Sequence, residues 1–159
     1  MVVISDTTTI TNLIQINLLD ILPKLYNEVL IPVAVYNELL RFDGQKTIIN
    51  SSNWLKPLEV EHTQHLVFLL ESLDEGEAEA IALAINLQPD FLIIDERAGR
   101  KIAREYGIPI IGLLGILMLA KQQGLIENVK TPLDSLKDEV GFRVSKSLYE
   151  FVLSEVNER

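Results

Sequence analysis

Short, unbroken apolar runs alternate along this chain with longer segments whose apolar residues recur every three or four positions. Four runs, at residues 2–5, 28–31, 91–94 and 109–111, read as strands. Runs this short, without polar alternation, suit strands covered on both faces, as in a parallel sheet. The segments between them carry helix signals. Pro32 fits the first turn of a helix reaching to about Arg41, with Val33, Tyr36, Leu39 and Leu40 on its apolar side. Alanine and glutamate, both good helix formers, dominate 76–87. Gly107 and Pro109 close a helix over 96–106, and Gly124 closes one over 113–123. A terminal helix over 145–156 places Leu148, Phe151 and Val152 on one stripe. Residues 43–52, polar around Gly44, read as a loop. The alternation predicts a single three-layer α/β/α domain over 1–159 with a mainly parallel sheet: a core to about residue 125 and a helical extension over about 126–159.

Two of the strand-like runs end on aspartate, Val-Val-Ile-Ser-Asp6 and Phe-Leu-Ile-Ile-Asp95, and each leads into a helical segment. Ligands of open α/β sheets bind beyond the carboxyl ends of the strands, where strand order reverses. Two carboxylates brought there from distant parts of the chain suggest a site for a hard cation. Glu38 lies late on the helix that starts at Pro32, and Glu77 heads an inward-facing stripe with Ile81 and Ala84. Four converging carboxylates without a neutralising lysine repel one another. A divalent cation resolves the conflict, and oxygen-only ligation suits Mg²⁺ or Mn²⁺. Such ions support phosphodiester hydrolysis.

Each acid also has a plainer role. Asp6 and Asp95 suit helix N-caps, Asp74-Glu75-Gly76-Glu77 resembles a capping box, and Glu38 suits a solvated surface. Capping alone does not explain two strand-end acids together with an inward-facing Glu77.

Charge and composition narrow the partners. With 14 basic against 23 acidic residues the net charge is −9, which argues against nonspecific DNA binding by phosphate neutralisation. The chain has no cysteine, so disulfides are excluded, a structural zinc site is not expected, and a cytoplasmic setting fits. The apolar run over 108–120 ends at Lys121, short of a membrane span, and reads as a buried strand and helix; no membrane association is expected. Glycine-rich phosphate loops and the Gly-x-Ser-x-Gly elbow are both missing. His62 and His65 read as surface residues, and Trp54 and Tyr149 as packing residues.

The chain resembles the PIN domain superfamily, the nuclease fold of the VapC-type toxins, and within it a prokaryotic PIN-like branch. The matching stretches are Ile4-Ser5-Asp6-Thr7-Thr8, Val29-Leu30-Ile31-Pro32 with Val35-Tyr36-Asn37-Glu38-Leu39-Leu40, Gly76-Glu77-Ala78-Glu79-Ala80-Ile81, Leu92-Ile93-Ile94-Asp95-Glu96-Arg97-Ala98-Gly99-Arg100, and Gly141-Phe142-Arg143-Val144-Ser145 with Leu148-Tyr149. The resemblance implies a metal-dependent endoribonuclease in which Asp6, Glu38, Glu77 and Asp95 are catalytic, with Asp6, Glu77 and Asp95 holding Mg²⁺ or Mn²⁺. Thr7 and Thr8 support Asp6, and Glu79 competes with Glu77 for the third acidic position. Two departures stand out: Ile93 occupies a position that is often threonine or serine, and the chain is acidic for a nuclease.

Arg97, Arg100, Lys101 and Arg104 follow Asp95 on one helix; residues 97, 101 and 104 share a face that could grip RNA phosphates, or pair with Glu96 and Glu105. The resemblance further implies a homodimer and a type II toxin held in check by an antitoxin protein. Two alternatives differ in kind. One is a non-catalytic PIN-like module that binds RNA or protein. The other is a receiver-type phosphoacceptor domain, which would want an acidic pair after the first strand and a lysine after the last; here Asp6 is followed by threonines and Ile111 by Gly112.

Overall fold

The computed structural model describes residues 1–159. Five strands, β1 (Val3–Ser5), β2 (Val29–Pro32), β3 (Leu55–Leu58), β4 (Phe91–Ile93) and β5 (Ile110–Ile111), form one sheet in the order β3-β2-β1-β4-β5. Every pairing is parallel. Ten α-helices surround it: α1 (Thr7–Gln15), α2 (Ile21–Tyr26), α3 (Val33–Leu40), α4 (Lys46–Asn50), α5 (Gln64–Leu70), α6 (Glu75–Leu87), α7 (Arg97–Glu105), α8 (Leu113–Gln122), α9 (Lys130–Ser135) and α10 (Lys146–Glu155). This is the three-layer α/β/α arrangement expected from the alternation of short apolar runs with helical segments.

The strands are apolar on both sides because both sides are covered. Val3, Val29, Ile31 and Ile93 point into a core built with α1, α2, α3 and α8. Their neighbours Ile4, Leu92 and Ile94 point into a second core with α5, α6 and α7. Neighbouring residues in a strand face opposite ways, so one run serves both cores.

The sequence pattern misses one strand. In β3, Lys56 and Pro57 interrupt the apolar run, and β3 lies at the sheet edge, where charge and proline are tolerated. The expected loop over 43–52 is also more ordered than its polarity suggests. A 3-10 turn at Asp43–Gln45 leads into α4, with Ile49 buried. Gln45 is buried too, and its amide donates to the Leu39 carbonyl at 3.0 Å.

Strand order reverses between β1 and β4. From β1 the chain steps outward to β2 and β3, then returns to the other side of β1 for β4 and β5. Ser5 pairs with Ile93, and the Asp6 N–H donates to the Ile93 carbonyl at 3.0 Å, so the two strands end side by side.

The C-terminal elements share the first core, through Val129, Leu133, Leu136, Val152 and Leu153. After α9 a π-helical turn (Leu136–Val140) leads to Gly141. Glu158 accepts hydrogen bonds from the Val129 and Lys130 N–H groups at 2.7 and 2.9 Å and pairs with Lys121 at 2.8 Å, which ties the tail to the start of α9. No helix is long and apolar enough to cross a membrane.

Candidate active site

Asp6 follows β1 directly and Asp95 lies just past β4, so the two acids stand at the reversal of strand order. Asp6 does act as the N-cap of α1: its Oδ1 accepts the Thr9 N–H at 3.2 Å. Its Oδ2 accepts the Asp95 N–H at 3.4 Å. The side chain is only 2% exposed. Burial, reinforced by the facing Asp95 carboxylate, pushes the Asp6 carboxyl up to about 7.

Asp95 is no cap for the helix that follows it. The N-cap of α7 is Glu96, whose side chain makes no capping bond. Instead Asp95 reaches across the sheet end: Oδ1 accepts the Leu113 N–H at the start of α8 at 2.9 Å, and Oδ2 accepts the Thr9 hydroxyl at 2.8 Å. A helix N-terminus favours a carboxylate there, both through its free N–H groups and its dipole. Thr9 thus touches both aspartates, with its N–H on one and its hydroxyl on the other. Sequence reasoning passed over it; the available signal was its place three residues after an N-cap aspartate.

The fit at this point is close enough to exclude other side chains. A Cβ on Gly112 would stand 2.7 Å from Asp95 Oδ1 and 2.8 Å from Arg100 Nη1. Arg100 has little room to yield, because the same Nη1 donates to the Ile94 carbonyl at 2.8 Å.

Glu38 and Glu77 each lie near Asp74, which caps α6 by accepting the Glu77 N–H at 2.8 Å. Glu77 Oε2 is buried with no hydrogen-bond partner. With Ile94 it flanks Gly99, where a Cβ would come within 3.0 Å of Oε2 and 2.7 Å of Ile94 Cδ1. Burial first, then Asp74 and Glu96, raise the Glu77 carboxyl to about 8. Burial also raises Glu38, against the opposing influence of the adjacent Thr7 hydroxyl. Thr7 Oγ1 is itself buried and closes no well-formed hydrogen bond. Glu38 Oε2 and Thr7 Oγ1 lie against Gly76, 3.0 and 3.5 Å from where its Cβ would be.

Glu79 has a different task. Its carboxylate accepts the Ala34 N–H in the first turn of α3 at 3.4 Å. Burial raises this carboxyl as well, with the Ala34 contact acting in the opposite sense.

The acids therefore do not converge on one point: Asp6 pairs with Asp95, Glu38 and Glu77 each lie near Asp74, and no three Asp, Glu or His side chains stand close enough to hold a metal ion as they are. The donor chemistry nevertheless fits a hard cation. Every candidate donor is oxygen, the Asp6–Asp95 pair has no ion-pair partner, and Glu77 Oε2 is orphaned. The ion pairs of the chain, Lys121–Glu158 and Lys130–Asp134, lie elsewhere.

A cleft of about 1040 Å³ opens beside Asp95, with Thr8 and Asn12 in its lining. Arg97, Arg100 and Arg104 of α7 line it, and Arg143 does so from the C-terminal segment. Lys101 does not: it lines a separate pocket with Phe68 and Tyr106. The basic face toward the acids is therefore 97, 100 and 104 rather than 97, 101 and 104. His62 and His65 are exposed, and the His65 ring stands edge-on to Tyr106. Trp54 packs against the first core; Tyr149 does too, and its hydroxyl donates to Asp134 at 2.6 Å.

A family model described as a PIN domain matches residues 2–158 of the chain. No curated protein and no solved structure matches it.

Proposed function

The chain belongs to the PIN domain family, and we propose that it is a divalent-metal-dependent endoribonuclease. PIN domains are in general nucleases that use divalent metal ions. The observation that carries the reading is the pairing of buried Asp6 with half-buried Asp95, without an ion-pair partner, at the edge of an arginine-lined cleft.

Asp6 and Asp95, with Glu77 and Glu38 as the further acids, would hold Mg²⁺ or Mn²⁺. Such an ion, when bound, activates water and offsets charge developing on a phosphodiester. The surrounding residues fix the pair. Thr9 and the Leu113 N–H orient the Asp95 carboxylate, while the Thr9 N–H holds Asp6. The buried Asp6 keeps a proton up to about pH 7 and so binds a cation best above that pH. Arg97 and Arg104 present guanidinium groups to phosphates along the cleft. Arg100 is committed in part to the Ile94 carbonyl and steadies the strand end that carries Asp95. Thr7 and Thr8 supply hydroxyls around this core of the site, while Lys101 lies outside the cleft. The likeness to the toxins extends the proposal to a cytoplasmic homodimer restrained by an antitoxin protein.

A second reading is a non-catalytic PIN-like module that binds RNA or protein on the same surface. The lack of any cluster of three acids favours it. Incubating a mixed RNA pool with the protein in Mn²⁺, in Mg²⁺ and in chelator, beside Asp6→Asn, decides between them. Metal-dependent products that vanish in Asp6→Asn support the nuclease. Binding of RNA with no products in either metal supports the module.

A further inference from the structure

We propose that Arg143, carried by the segment between the π-helical turn and α10, is a substrate-positioning residue that holds a phosphate of the bound strand in the cleft it lines together with α7. The proposal rests on the nuclease reading and adds to it a residue from the far end of the chain.

Arginine distribution is the first ground. The chain has six arginines, and four of them, Arg97, Arg100, Arg104 and Arg143, line this one cleft. None takes part in an ion pair, although acidic residues outnumber basic ones by 23 to 14. A protein with so many carboxylates to spare would readily neutralise a structural arginine. Leaving four unpaired around one concavity is what a polyanion requires, since each phosphate contact releases a counterion and adds affinity. Asp95 lines the same cleft, so a strand held there would pass the proposed hydrolytic centre.

Local backbone is the second ground. The α9 helix does not end in an ordinary cap but widens into the π-helical turn Leu136–Val140, a geometry often found at functional sites. Gly141 then takes φ +80°, in the left-handed region that glycine enters without strain. The Phe142 N–H returns to the Leu136 carbonyl at 2.8 Å, while Ser145 caps α10 by accepting the Leu148 N–H at 3.1 Å. Both ends of the segment are thus fixed and Arg143 lies between them, its side chain exposed. The guanidinium is presented on a short tether held at both ends, which suits positioning a phosphate beside a reacting one.

The test measures binding of a fluorescently labelled, mixed-sequence RNA oligonucleotide by anisotropy in chelator, where no turnover occurs. Wild type, Arg143→Ala, Arg143→Lys and the charge control Lys24→Ala are compared across a salt series, with thermal melts to check folding. We expect Arg143→Ala to weaken binding about tenfold and to lower the slope of log affinity against log salt by about 0.7, the share of one single-strand phosphate contact. Arg143→Lys should recover part of the loss, and Lys24→Ala should match wild type. In cleavage assays the loss should fall on KM more than on kcat. Wild-type affinity in a folded Arg143→Ala protein overturns the assignment of Arg143. Absence of RNA binding by wild type, together with absence of metal-dependent cleavage in Mn²⁺ and Mg²⁺, overturns the nuclease reading beneath it.

Discussion

The Thr9 hydroxyl donates a 2.8 Å hydrogen bond to Asp95 Oδ2, joining residues 86 positions apart in sequence. Because the Thr9 N–H also holds Asp6, a single residue sets the spacing of the two aspartates. Thr9→Val keeps the shape and the N–H but deletes the hydroxyl. We expect it to cost about 1–2 kcal/mol of stability and to lower metal-supported kcat about tenfold. Urea titration and steady-state cleavage measure the two effects.

Asp6→Asn separates charge from shape, since asparagine caps a helix as well as aspartate does. The raised Asp6 carboxyl means that the folded chain keeps a proton the unfolded chain has lost. Wild-type stability is therefore highest below about pH 4 as far as this group is concerned, falls as pH rises to about 7, and levels off above it. In chelator, Asp6→Asn should match wild type near pH 4 and exceed it at pH 8 by about 2–4 kcal/mol. Denaturant melts at the two pH values check this, and a wild type that gains stability from pH 4 to 8 relative to the variant contradicts it.

Adding Mn²⁺ at pH 8 should raise the melting temperature of wild type, because a ligand that binds only the folded chain stabilises it. At a hundredfold excess over Kd the gain is about 2.7 kcal/mol. Asp6→Asn should show little response, and chelator should reverse the wild-type gain. Equal shifts in both proteins would place the ion elsewhere.

Gly112→Ala brings a methyl group to within 2.7 Å of Asp95 Oδ1 with Arg100 closing the other side. Neither partner can step aside without breaking a hydrogen bond, to the Leu113 N–H or to the Ile94 carbonyl. We expect a loss of about 1–3 kcal/mol and a fall in activity of at least tenfold. Gly44→Ala, with open space around it, serves as the neutral comparison.

Glu77 and Glu79 can be told apart by substitution. Glu77→Gln removes the orphaned carboxylate, so it should abolish metal-dependent cleavage while leaving the chain at least as stable at pH 9 as wild type. Glu79→Gln should weaken a contact to α3 by about 0.5–1 kcal/mol and leave most activity. Cleavage rates and melts of the two variants side by side decide the matter.

The sheet and its two acids were legible in the sequence because strand burial and strand ends are local patterns. The run before Asp6 and the run before Asp95 are apolar on both faces, and Gly107 and Gly124 close the helices α7 and α8. What the pattern missed depends on distant neighbours. Lys56 and Pro57 hide β3, which only its edge position makes tolerable. Asp95 reads as a cap for α7, yet its carboxylate turns to the start of α8, a helix 18 residues further on. Arg143 stood in a stretch that resembles the family, but nothing local placed it in the cleft with Arg97 and Arg104. Likewise the face of α7 turned to the cleft includes Arg100 rather than Lys101, a distinction of about 100° around the helix that only packing settles.

Strand order also sets when during synthesis the two aspartates can meet. Asp6 leaves the ribosome well before its partner strand β4, which ends at Ile93, and before Leu113, whose amide holds Asp95. A nascent chain that has exposed only β1, β2 and β3 has one bare aspartate at an uncovered sheet edge. The pair assembles only after Leu113 has emerged, and Arg143 follows later still. The first acid of the pair thus waits, unpartnered, through the synthesis of most of the sheet.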